Sequence, residues 1–154
     1  MNIKKLAGIA ITGLALNSLI LTDVLADSVE TKCKVRADRS KISVDAEGLL
    51  KGSYYAEVTS GGQTVSSKVN DIQVVSSSGD EVEFDFDSNP NDISEGAIAI
   101  APDFIKDRTV LGAIFKTTDN GATGTLVEDD RSKCQVKKRR GGHHGGHDDG
   151  PNHK

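Results

Sequence analysis

The sequence predicts an all-β protein, a single antiparallel β-sandwich of eight or nine strands with one disulfide joining the first and last of them. Three observations carry that prediction. Apolar and polar residues alternate with a period of two through residues 31–137, which is the pattern of half-buried strands and not of helices. Turn residues interrupt the alternation at short intervals, as expected where strands are joined by tight connections. The only two cysteines lie in Lys32-Cys33-Lys34-Val35 and Lys133-Cys134-Gln135-Val136, near-identical strand patterns at the two ends of that stretch.

The chain begins with two lysines, Lys4 and Lys5, then an uncharged run from Leu6 to Leu21, then Val24, Leu25 and Ala26. This is the layout of a secretory signal peptide, with small residues where a signal peptidase cuts, so cleavage is expected after Ala26. The competing reading is an uncleaved membrane anchor, for which the run is slightly short; Gly8, Gly13 and Asn17 also weaken it as a spanning helix. No later segment is apolar enough to span a bilayer, so no membrane span is expected after cleavage. Residues 1–26 are thus assigned to the signal peptide, 27–137 to one sandwich domain and 138–154 to a disordered tail, with export to a periplasm or to the medium.

Loss of Lys4, Lys5 and Asp23 takes 19 basic and 23 acidic residues to 17 and 22, a formal charge of −5. That acidic balance gives no argument for a nucleic-acid partner. In an exported chain two cysteines read as a disulfide between Cys33 and Cys134. Free thiols for redox or metal chemistry are the alternative, disfavoured because there is no Cys-x-x-Cys spacing and no neighbouring histidine.

Taken in order, the strand rows are Ile42, Val44 and Ala46, then Tyr54, Ala56 and Val58, then Val82, Phe84 and Phe86. Glu81, Glu83, Asp85 and Asp87 project from the last row toward water, giving one dry and one wet face. Turns are expected at Ser60-Gly61-Gly62, Ser78-Gly79-Asp80 and Asp119-Asn120-Gly121, where glycine and asparagine tolerate a positive φ. Asn120-Gly121, between the β-branched runs 110–117 and 123–127, is the strongest hairpin signal. Ala97 to Ala101, five small apolar residues in sequence, suits an inner strand buried on both faces. Only Pro102 to Lys106 reads as a helical turn.

Leu50-Lys51-Gly52-Ser53-Tyr54-Tyr55-Ala56-Glu57-Val58 resembles the leucine, glycine, tyrosine and alternating-strand pattern of bacterial immunoglobulin-like and fibronectin-III-like domains. The resemblance covers less than a tenth of the chain, and the tryptophan of antibody-type domains is absent. It implies an immunoglobulin-like sandwich, a fold that hosts many unrelated functions.

All four histidines, His143, His144, His147 and His153, fall in the last twelve residues, among glycines. Imidazole suits zinc, nickel and copper, glycine lets several rings converge, and Asp148 and Asp149 could add oxygen ligands. Metal binding by this tail is therefore the leading functional expectation. A second set, Asp85, Asp87, Asn89, Asn91 and Asp92, offers hard oxygens that would favour calcium. It fails as an EF-hand, because counted from Asp85 the glycine position holds Pro90 and the terminal glutamate position holds Gly96.

An enzyme is not expected. Residues 31–137 contain no histidine, so no Ser-His-Asp or Cys-His set can form there. Alternating carboxylates on one strand are more simply a solvated face than a glycosidase pair. The alternative function is a protein-interaction or structural scaffold, with Asn89 to Ile105 a candidate contact segment. The basic run Lys137 to Arg140 suits an anionic envelope surface less specifically.

Overall fold

The computed structural model describes Ala26 and residues 28–137. The expected signal peptide up to Leu25 and the tail 138–154 lie outside the described residues. Ala26, which the expected cleavage would remove, is buried against the core.

Two β-sheets enclose one apolar core. The first sheet has the order β10 (Gln135–Val136), β1 (Ser28–Arg36), β2 (Arg39–Leu49), β6 (Asp80–Asp87), β7 (Ile98–Ala99). The second has the order β4 (Gln63–Ser66), β3 (Gly52–Ser60), β8 (Thr109–Thr117), β9 (Thr125–Lys133), with β5 (Gln73–Val75) also paired to β3. Ten strands are present among the described residues, rather than eight or nine. The shortest of them, β5, β7 and β10, have two or three residues each, too few to show a periodicity.

The three apolar rows point inward as their alternation requires. Ile42, Val44, Tyr54, Ala56, Val58, Phe84 and Phe86 are completely buried, each large side chain contributing roughly 1.5–3 kcal/mol relative to exposure. Tyr54 reaches its own strand entry, where its hydroxyl donates to the Leu50 carbonyl at 2.5 Å. Gly112 on β8 faces Thr31 and Val44 so closely that a Cβ there would collide with both. The glycine lets the sheets approach at this point.

The fold is not wholly antiparallel. β10 runs parallel to β1, and β7 parallel to β6. β9 ends in the second sheet, the chain crosses at Cys134, and β10 then lies beside β1 in the same direction. Cys134 is bonded to Cys33 on β1, so the bridge ties the first strand to the residue that opens the last one. The β6–β7 crossover, residues 88–97, reverses the chain through α1 (Pro90–Ser94), whose N-cap Asn89 accepts from the Asn91 N–H. Proline in the first turn of a helix behind an asparagine cap is a start signal. The helix is therefore here and not at 102–106, where a single turn is closed by the Phe104 N–H donating to the Ala101 carbonyl at 3.0 Å.

Two further expectations change. β7 is an edge strand, with Ile98 buried and Ala99 exposed, because an unbroken apolar run conceals its own alternation. Ser78-Gly79-Asp80 does not close a hairpin but carries the chain from β5 in one sheet to β6 in the other. By contrast Gly61 and Gly62, at φ 55° and 78°, make the two-residue β3–β4 turn whose twist needs two left-handed residues. Asn120 and Gly121, at φ 54° and 82°, turn β8 back into β9.

Both long seams between the sheets are closed by side chains standing in for a neighbouring strand. At the β6 seam the Gln73 amide donates to the Glu83 carbonyl and accepts from the Glu83 N–H. At the β1 seam Asp130 accepts from the Thr31 N–H at 2.8 Å, and its carbonyl accepts from the Thr31 hydroxyl. Unpaired edge groups are templates for intermolecular pairing. Changing Gln73 and Asp130 together to alanine is expected to cost about 1 kcal/mol per lost contact and to produce concentration-dependent oligomers in sedimentation velocity. A variant that stays monomeric would show that the plugs do not guard the edges.

Candidate functional site

The outer face of the first sheet is built from three strands in register. Glu30 on β1 lies opposite Asp45 on β2, and Asp45 opposite Glu83 on β6, so three carboxylates stand abreast. Like charges directly opposite one another are unfavourable. Lys32 relieves part of this, bridging Glu30 at 2.9 Å and Asp45 at 3.0 Å. Its hydrogen bonds to Glu30 and then to Asp45 push the ammonium pKa above the ordinary lysine value. Glu47 and Glu81 extend the acidic surface around a shallow cleft of about 310 Å³.

At the other end of this sheet, the residues expected as oxygen ligands are distributed differently from the sequence reading. Asp87 does not project toward water but is completely buried. Arg39, at the start of β2, holds it with two hydrogen bonds of 2.8 and 2.6 Å and reaches Asp92 on α1 at 2.8 Å. The Asn89 N–H completes the arrangement by donating to Asp87 at 2.9 Å. Burial pushes the Asp87 carboxyl upward, but the bonds from Arg39 and Asn89 outweigh it and hold the pKa below the ordinary carboxylate value.

The guanidinium therefore occupies the centre that Asp87 and Asp92 would share around an ion. Asn89 is committed to capping α1, Asn91 lies within that helix, and Asp85 faces Lys41 at 3.5 Å. Among the described residues no three His, Cys, Asp or Glu side chains are grouped as a metal set. His143, His144, His147, Asp148, Asp149 and His153 lie outside the described residues. The last described residue, Lys137, is pinned by its N–H to the Val35 carbonyl at 3.0 Å, two residues beyond Cys33.

A second surface lies on the outside of the other sheet. Tyr55, Phe115 and Leu126 stand abreast across β3, β8 and β9. The two rings stack with centroids 5.1 Å apart and planes 7° from parallel, and Leu126 is half exposed. These residues belong to the face opposite Tyr54 and Ile114. The sequence reading missed this row, and it missed Arg39. The signal for the first was the aromatic at Phe115 out of phase with Ile114. For Arg39 there was none, since its partner is 48 residues away.

No protein-family model, curated protein or solved structure matches the chain.

Proposed function

We propose that this is an exported protein in which a disulfide-closed, immunoglobulin-like sandwich carries a C-terminal His-rich tail that binds transition-metal ions such as zinc, nickel or copper. One observation carries the metal reading. Every histidine of the chain lies in the last twelve residues, so the body offers no competing imidazole, and its two sulfurs are bonded to each other. The immunoglobulin-like assignment is supported by the strand order. β1-β2-β6 faces β4-β3-β8-β9, the order of the A-B-E and C′-C-F-G strands in that architecture. The disulfide is compatible with an oxidising compartment.

Calorimetric titration of zinc, nickel and copper into residues 27–154, beside the same protein ending at Arg140, tests the proposal. Binding with a dissociation constant of about 1 μM or tighter is expected for the longer form, about −8 kcal/mol, and is expected to vanish with the tail. Equal binding by both forms would move the site elsewhere. The competing reading, a protein-interaction scaffold, is favoured by half-buried Phe115 beside exposed Leu126, backed by the buried Tyr55 ring, since aromatic residues are enriched where partners bind. It would gain if function survived truncation at Arg140 and failed on Phe115→Ser.

A further inference from the structure

We propose that Asn120-Gly121 is a covalent modification site that the fold holds shut, a deamidation site opened only when the β8–β9 turn opens. It is the one Asn-Gly pair in the chain. In such a pair the glycine nitrogen, once its proton passes to solvent base, can attack the asparagine side-chain carbonyl carbon. A new N–C bond closes a five-membered succinimide as ammonia leaves with a proton. Water then opens the ring at either carbonyl, giving aspartate or isoaspartate. Only water is consumed, since the base gives its proton back to the departing nitrogen. Glycine presents this nitrogen without a side chain beside it.

The geometry withholds that nitrogen. Asn120 is exposed, but Gly121 is buried, and its N–H donates to the Thr117 hydroxyl at 2.9 Å. Thr117 is itself buried and donates to Asp119 at 2.9 Å. The Asp119 carboxylate accepts the Thr123 N–H at 2.8 Å and the Thr123 hydroxyl at 2.6 Å. From the other side, the Lys68 and Ile72 side chains press against Gly121 so closely that a Cβ there would crowd Lys68. Solvent base reaches the nitrogen only after this clasp opens, so the rate follows the population of the open turn.

Modification would be one-way. It places a negative charge beside Asp119, and isoaspartate adds a backbone carbon to a turn that needs two consecutive left-handed residues. A chain that has opened and reacted to isoaspartate does not close β8 against β9 in the same register. The site thus records past unfolding, whatever the tail binds.

The test incubates residues 27–154 at mildly alkaline pH, native and disulfide-bonded or else reduced in denaturant, and follows amide-to-acid conversion at Asn120 by peptide mass spectrometry. The unfolded chain is expected to convert at least about tenfold faster than the native one. Thr117→Val, with a native circular dichroism spectrum, is expected to convert faster than the native protein and slower than the unfolded chain. Equal native and unfolded rates, or a folded Thr117→Val protein reacting at the native rate, would overturn the proposal. If Thr117→Val does not fold, amide exchange of Gly121 in the unaltered protein decides. Strong protection supports the clasp, and exchange at the unfolded rate refutes it.

Discussion

Arg39→Ala is expected to lower the stability of the folded body by about 3 kcal/mol or more, the usual result of removing one partner from a buried ion pair. The loss comes less from the missing contact than from what remains. Asp87, completely buried in the intact protein, keeps only the Asn89 N–H and more distant groups to oppose its charge. Urea denaturation measures the loss, and a midpoint within error of the unaltered protein would refute the assignment.

The pH dependence separates this cause from simple loss of packing. In the intact protein Asp87 has a folded pKa below its unfolded value, so the unfolded chain binds the proton more readily. The stability it contributes is fully present above about pH 4, the unfolded aspartate value, and is lost as pH falls through the folded pKa. Without Arg39 the burial that pushes the carboxyl upward is opposed only by Asn89 and Lys41, and the folded pKa is expected to rise. Acidification then relieves the variant. Its deficit relative to the intact protein is expected to shrink between neutrality and mild acid, whereas a deficit independent of pH would point to packing alone.

The second large effect is expected for replacement of Cys33 and Cys134 by serine. The two residues are separated by 101 positions, and closing a loop of that length contributes up to about 4.7 kcal/mol in the chain-entropy account, with losses of about 2–5 kcal/mol typical for small exported domains. The local consequence is sharper. β10 holds β1 through a two-residue parallel pair, too short to persist once the covalent tie is gone. Amide exchange at Val136 and Lys137 is therefore expected to approach the unfolded rate while β2, β3 and β6 remain protected. Retained protection at Lys137 would show that the pairing stands without the bridge.

These two sites also show what the sequence made legible. The cysteine pair could be read because its flanking patterns mark strands at the two ends of the domain and because no third cysteine competes. The rows at Ile42, Tyr54 and Phe84 could be read because alternation is a local property. The Asn120-Gly121 turn could be read because few residues adopt its backbone. Asp87 could not. Alternation from Glu81 through Asp85 projects it outward, and only the strand end and an arginine on another strand bring it inside. Nor could the direction of β7, since Ala97 to Ala101 offers no polar residue to mark a face. Asn89 and Pro90 carried a helix-start signal that the reading of Asn89 as an oxygen ligand left unused, and the structure places Asn89 as the cap of α1. The acidic row Glu30, Asp45 and Glu83 required the register of three strands, information that no single segment holds.

The position of the bridge has a mechanical consequence. A pull applied between the two ends of the chain reaches Cys33 from one side and Cys134 from the other, and passes directly through the sulfur–sulfur bond. The intervening 33–134 segment, with nearly all of the core, lies outside the line of force. Of the described residues, tension can strip only Ala26, 28–32 and 135–137 from their neighbours. A protein tethered by one end and drawn by the other would transmit load like a rigid link, its interior unstretched.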